Sequence, residues 1–232
     1  MIRLVRIALL GAALLGASPA EAHAQAFLDQ GVFVIARDGN EIGREEFAIR
    51  PVAGTRGGGG ILAVATVHYR DRELKAALEL TGDHVPVSYQ LDVTAAGRLV
   101  QRLTGQFGRG RFSIRLVTTS GEVAREFRVP QGAVVLDDDI FNQYYFVPRA
   151  NGAPEQLLVV RPRQTTLVAA EVRNLGLDTV MVGGRGVAAQ HYAVILPGDD
   201  RREFWFSPSG DLLKAALPGR GITATRFRLS VR

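Results

Sequence analysis

Three histidines follow the first twenty-six residues, His68, His84 and His191, and no two of them stand at an H-x-H or H-x-x-x-H spacing. Two metal ligands on one strand or helix need such a spacing to share a face. The one dense group of acids, Asp137-Asp138-Asp139, would have to meet a histidine from far along the chain. Glu45 and Glu46 are adjacent, so on a strand they point to opposite faces. Paired-carboxylate chemistry needs two groups converging within about 5–9.5 Å. No G-x-S-x-G elbow surrounds any serine, and Pro208-Ser209-Gly210 is turn chemistry. There is no cysteine, which removes thiol nucleophiles, cysteine–zinc sites and disulfides. The Gly57–Gly60 run is followed by Ile61-Leu62-Ala63-Val64, not by the lysine and helix of a phosphate loop. The residues call for no catalytic constellation, no metal and no cofactor.

The aromatic residues carry more. Phe141, Tyr144, Tyr145 and Phe146 fall within six positions, and Phe204-Trp205-Phe206 puts bulky groups on both faces of one strand. They can seal a core. They can also line a site for an apolar ligand, with tyrosine hydroxyls orienting a head group. Phe141, Tyr144, Tyr145 and Trp205 are the candidate ligand-binding residues on that second reading.

The elements that must position them are strands. Positions 85, 87, 89, 91 and 93 are apolar and alternate with small or polar residues. Phe112, Ile114 and Leu116 alternate with Arg111, Ser113 and Arg115, while Thr225, Phe227 and Leu229 alternate with Arg226, Arg228 and Ser230. Such period-two patterning gives each strand one buried and one wet face, as in an antiparallel sheet covered on one side; on the last segment it puts the arginines outside. Asp38-Gly39-Asn40, Thr81-Gly82-Asp83, Ala95-Ala96-Gly97, Ser120-Gly121 and Pro197-Gly198-Asp199-Asp200 punctuate the chain as hairpin turns. Glu73–Leu80 contains helix formers but also alternates, and between two strands with short links it reads as a strand. The one helix expected covers about 138–147. There Asp137-Asp138-Asp139 would cap the start, Ile140, Phe141, Tyr144 and Tyr145 would form one face, and Pro148 would end it. The fold class is mainly β: residues 27–232 form a single domain, a long antiparallel meander curved into a half-barrel or open barrel.

Residues 1–26 read as a secretory signal. Arg3 and Arg6 precede the apolar run Ile7–Ala17, and Ala20-Glu21-Ala22, Ala22-His23-Ala24 and Ala24-Gln25-Ala26 each fit an A-x-A cleavage site. That run is too short to cross about 30 Å of hydrocarbon, which takes roughly twenty residues. A periplasmic location, soluble after cleavage and not integral to the membrane, is the expectation, and the lack of cysteine suits an oxidising space. The 232 residues carry 28 Lys+Arg against 23 Asp+Glu, but only Lys75 and Lys214 are lysines and the arginines are spread among acids. With no basic run, nucleic acid is not an expected partner.

The stretch Gly31–Gly43, with its Asp38-Gly39-Asn40-Glu41-Ile42-Gly43 turn, resembles the opening of uncharacterised exported bacterial proteins of half-barrel type. Val134–Tyr145, the Gly176 and Gly186 turns and Phe204–Lys214 extend that resemblance over most of the chain. It implies a strongly curved sheet, similar in style to the periplasmic lipoprotein carriers LolA and LolB, in which a concave apolar face partly plugged by a helix takes acyl chains. Two functions follow as expectations. One is non-enzymatic binding of a lipid or other apolar small molecule in a concave sheet. The other is a protein-interaction or scaffold module of a cell-envelope complex, acting through sheet edges or loops, with the hollow filled by its own side chains. A transmembrane β-barrel would also alternate, but the strands are short and irregularly spaced.

Overall fold

The computed structural model describes residues 27–53, 59–151 and 153–229. The expected export signal lies outside the described residues, as do Gly57 and Gly58. The strands are β1 (Asp29–Arg37), β2 (Asn40–Ala53), β3 (Gly59–Tyr69), β4 (Arg72–Thr81), β5 (Pro86–Ala95), β6 (Arg98–Gly108), β7 (Arg111–Thr118) and β8 (Gly121–Arg128). After them come β9 (Val134–Val135), β10 (Glu155–Arg161), β11 (Thr166–Val182), β12 (Arg185–Leu196), β13 (Asp200–Phe206), β14 (Leu212–Leu217) and β15 (Ile222–Arg226). All fifteen belong to one sheet, in the order β8 back to β1, then β15 back to β9.

Every neighbouring pair is antiparallel except the short parallel contact of β9 with β10. Two meanders, β1–β8 and β10–β15, are joined where the first strand pairs with the last, Phe33 opposite Arg226 and Ile35 opposite Ala224. The two edge strands, β8 and β9, are consecutive in the chain. Only residues 129–133 separate them, a link that spans at most about 20 Å. The sheet therefore stays open in its hydrogen bonding while the chain itself bridges the gap. On β8, Glu122, Arg125, Glu126 and Arg128 are exposed or nearly so, charges that discourage a further strand from adding to the edge.

Alternation decides the ambiguous segment. Leu74, Ala76, Leu78 and Leu80 are all buried on one face of β4, paired with β3 and β5. The same face collects Phe33 and Ile35 from β1, Phe47 and Ile49 from β2, Tyr89 and Leu91 from β5, and Phe204 from β13. The sheet curls this face around residues 133–150, which are buried apart from half-buried Asp139 and Tyr145 and exposed Pro148 and Arg149. Two limbs make up this plug: a descending one carrying β9, and a returning one that ends at Pro148 and Arg149.

The helix expected at about 138–147 is a single 3-10 turn, Asn142–Phe146, and its cap residue Phe141 makes no side-chain capping bond. The aspartates that would have capped a helix are held by arginines. The last segment also has the opposite phase from the one expected. Arg226 is buried beside Asp29, whose carboxylate accepts the Leu212 N–H at 3.1 Å, while Phe227 and Leu229 are 49% and 45% exposed. Burying a charge is tolerated when it is paired, and Asp29 supplies the pair.

Close packing shapes the wall as well. Phe112 stacks on Phe107 with ring centroids 4.1 Å apart and meets Phe127 edge-on, and its ring lies over Gly105. A Cβ at Gly105 would fall 2.4 Å from two Phe112 ring carbons. Gly105→Val should therefore destabilise the protein by about 1–3 kcal/mol, the usual cost of overpacking, measured as a lower urea midpoint. An unchanged midpoint would contradict this packing.

Candidate functional site

The plug is fixed at its lowest point by charge. Asp137, Asp138 and Asp139 form its turn, close to the barrel end that carries the turns at 162–165, 197–199 and 218–221. Arg163 donates Nε to Asp137 Oδ2 at 3.0 Å and Nη2 to Asp139 Oδ2 at 2.8 Å. Arg202 donates to Asp138 Oδ1 at 2.7 Å and to Asp200 Oδ2 at 2.9 Å, and Arg220 donates to Asp138 Oδ2 at 2.9 Å. Arg161 and Arg72 stand 3.5 Å from Asp138 and Asp139 respectively. Tyr89 and Tyr69 add hydroxyl donors, each at 3.3 Å, to Asp137 and Asp139. Burial works against the Asp138 carboxylate, but Arg202 and Arg220 outweigh it and hold it down at about 2. For Asp137 burial prevails over Arg163, and the carboxyl lies above its ordinary range.

A second anchor sits on the wall. Glu45 on β2 is fully buried and accepts the Phe141 N–H at 2.6 Å and the Asn142 N–H at 2.8 Å, while Asn142 Nδ2 donates to the Val64 carbonyl at 3.2 Å. Burial pushes the Glu45 carboxyl up to about 8, against the pull of the two amides. Glu45 and Glu46 do point to opposite faces, as adjacent strand residues must.

The four candidate ligand-binding residues do not come together. Phe141 and Tyr144 are buried in the plug, with Tyr144 against Phe204 at 6.0 Å between ring centroids. Tyr145 is partly exposed near the upper mouth, the barrel end formed by residues 82–85, 109–110 and 129–133, and meets Phe206 edge-on at 6.2 Å. Trp205 lies on the other face of the sheet. There it stacks on His191 at 4.1 Å, under Lys214 at 4.4 Å, and donates Nε1–H to Asp178 at 2.8 Å.

Trp205 holds an arm. Beyond a bulge at Asn174/Gly176, the β11–β12 hairpin folds over the outside of β13 and β14, packing Val180, Val182 and Ala189 on Trp205, Leu213 and Ala216 as a small second core. Its opposite face carries Leu177, Thr179 and Met181 opposite Gln190, Ala188 and Gly186, without a single charge. Leu177 is 85% and Met181 59% exposed.

Two further surfaces are concave. An open cleft of about 770 Å³ on the outer face of β1–β3 is lined by residues including Val32, Glu46, Ala48, Val64 and Thr66, with Arg228 and Leu229 at its margin. At the upper mouth, a groove of about 470 Å³ between the turn at 83–85 and the returning limb 145–149 adjoins one of about 190 Å³ beside Phe107 and Arg109. Tyr145 is the one predicted site residue that lines either surface.

Sequence reasoning missed the residues that anchor the plug. Glu45 is in phase with Phe47 and Ile49, and Arg202 with Phe204 and Phe206, so alternation carried the signal for both; Arg163 and Arg220 sit in turns and had none. Two of the three histidines meet an acid, His68 with Glu73 at 3.3 Å and His191 with Glu203 at 3.1 Å. Among the described residues no group of three or more His, Cys, Asp or Glu converges as a metal site.

No family model matches the chain, and no curated protein matches it. Among solved structures, the chain is similar to the crystal structure of a beta-barrel-like protein of domain of unknown function DUF1849 from Brucella abortus. The identity is 10%, the match covers 88% of this chain and 97% of that one, and the TM-score is 0.53. That likeness is one of fold: a barrel-like sheet of an uncharacterised kind.

The anchors yield two expectations. Glu45 has a folded value above its ordinary one, so its stabilising contribution is complete below pH about 4.5 and is lost as pH rises through about 8. His191, lowered by burial, acts in the opposite sense below its ordinary value and is common to wild type and variant. Unfolding free energies from urea titrations between pH 5 and 9 should therefore fall more steeply for wild type than for Glu45→Gln, the excess being on the order of a few kcal/mol across that range. Parallel curves would contradict the role of Glu45. Trp205→Ala should cost about 3–5 kcal/mol and, by loosening the arm, speed trypsin cleavage after Arg185, which is exposed at its tip. Equal cleavage rates would show that Trp205 does not hold the arm.

Proposed function

We propose that the protein is an exported, non-catalytic interaction module of the cell envelope that engages a protein partner through its outer surface. The single observation that carries this reading is the interior. Where a lipoprotein-type carrier needs an open apolar hollow, this sheet is filled by residues 133–150 of its own chain. The plug is tied to the wall by Glu45 and to the floor by the arginine cluster, so the volume an acyl chain would need is already occupied.

The surface supports the same reading. Large exposed apolar patches on a folded protein commonly mark partner sites, and the free face of the arm combines two large exposed hydrophobics with small uncharged neighbours. A flat two-stranded face of this kind suits the apolar side chains of a partner protein, and its lack of charge removes a desolvation cost from docking. The export assignment rests on Arg3, Arg6, the apolar run and the Ala-x-Ala steps of the first twenty-six residues.

The experiment is cross-linking in intact cells followed by purification of the full chain. Wild type should retain a defined envelope protein that Leu177→Asp/Met181→Asp loses, with the stability of the variant unchanged within about 0.5 kcal/mol, as for ordinary surface substitutions. Retention of the same partner by the variant, or recovery of wild type with stoichiometric acyl lipid and no protein, would overturn the proposal.

A further inference from the structure

The groove at the upper mouth has an apolar floor and cationic ends. Val85, Val134, Phe146 and Val147 line the larger part, and Phe107 and Val129 the smaller, with Val85, Gly132 and Ala133 common to both. The larger part alone, about 470 Å³, falls within the usual range of small-molecule sites, about 300–1,000 Å³. Nothing in the plug's anchoring uses this surface, since the ties at Glu45 and at the aspartates lie deeper in the barrel.

The arginines at its two ends make no ion pair among the described residues. Arg149, at one end, lies with its guanidinium 3.9 Å over the Phe206 ring. A guanidinium stacked this way keeps its in-plane N–H donors free for an anion. Arg109, at the other end, is exposed in the β6–β7 turn. His84, on the lining of the larger part, lies edge-on to Phe146 at 5.6 Å. The neighbouring Arg111 is already paired with Glu126 at 2.6 Å, and Asp83 is the one acid on the groove's lining.

We propose that this groove binds a single-chain anionic amphiphile, its apolar chain lying along the floor by Val85 and Phe146 and its anionic head meeting Arg149 or Arg109. A neutral apolar ligand would leave the cationic ends unused, and a small anion would leave the floor wet; an amphiphile satisfies both. This site is separate from the arm and does not depend on the partner proposed above.

The test uses the full chain and three probes: dodecanoate below its micelle-forming concentration, dodecanol below its solubility limit, and acetate. Titration calorimetry should show saturable binding of dodecanoate at one site, at least tenfold weaker binding of dodecanol, and none of acetate. Arg109→Asn/Arg149→Gln should lower dodecanoate affinity at least tenfold, since asparagine suits the positive φ of 51° at Arg109. Arg98→Glu, an exposed position at the start of β6 beside the opposite mouth, controls for general charge and should change nothing. Val85→Trp, at an exposed position, fills the groove without touching an arginine and should also weaken binding. Equal affinity for dodecanol and dodecanoate, no loss in the double variant, or a free-carboxylate apolar hexapeptide outcompeting dodecanoate would overturn the assignment.

Discussion

Three consecutive carboxylates pressed against five arginines hold this protein in its shape. Asp137, Asp138 and Asp139 lie at the turn of the plug, and Arg72, Arg161, Arg163, Arg202 and Arg220 reach them from β4, β10, the β10–β11 turn, β13 and the turn after β14. Buried ion pairs add little to stability compared with apolar packing, but breaking one strands a charge at a cost of about 3–5 kcal/mol. The cluster therefore acts as a locator. The plug has one depth and one orientation at which every carboxylate is met, and strands distant in sequence are drawn to the same point.

The rest of the architecture follows from that fixed depth. With the turn of the plug held at the floor, the descending limb follows the 129–133 bridge and pairs as β9 with β10, and the returning limb passes Glu45, so that two backbone amides meet its carboxyl. The curved face then packs on the plug instead of enclosing a hollow, and chemistry with other molecules is left to the outside. Three outer features remain: the arm clamped by Trp205, the cleft beneath Arg228 and Leu229, and the groove at the upper mouth. They share no lining residues: the arm belongs to β11 and β12, the cleft to the outer face of β1–β3, and the groove to turns of the upper mouth and the returning limb of the plug.

Much of the fold was legible because period-two alternation is a local property. It placed β4 correctly against the competing helical reading and made the curved meander the natural architecture. It failed where pairing between distant residues decides. Asp137-Asp138-Asp139 has the composition of a helix start, and arginines 23 to 82 residues further along turn it into a buried floor. Arg226 looked like the wet side of its strand because alternation alone does not announce Asp29, almost two hundred residues away. Phe141, Tyr144, Tyr145 and Trp205 were found as an aromatic set, but sequence could not show that the sheet separates Trp205 from the other three. The arm was invisible as well, since its register shift comes from a bulge and not from a change in composition.

The most direct test of the account is native-state hydrogen exchange across residues 133–147 in the purified protein. A self-filled barrel predicts that the Phe141 and Asn142 amides exchange only through global unfolding, as slowly as the central amides of β2 to β5. Exchange of these amides at rates typical of a surface loop, while the strands stay protected, would mean that the plug leaves the barrel and the hollow opens, and the account would be wrong at its centre.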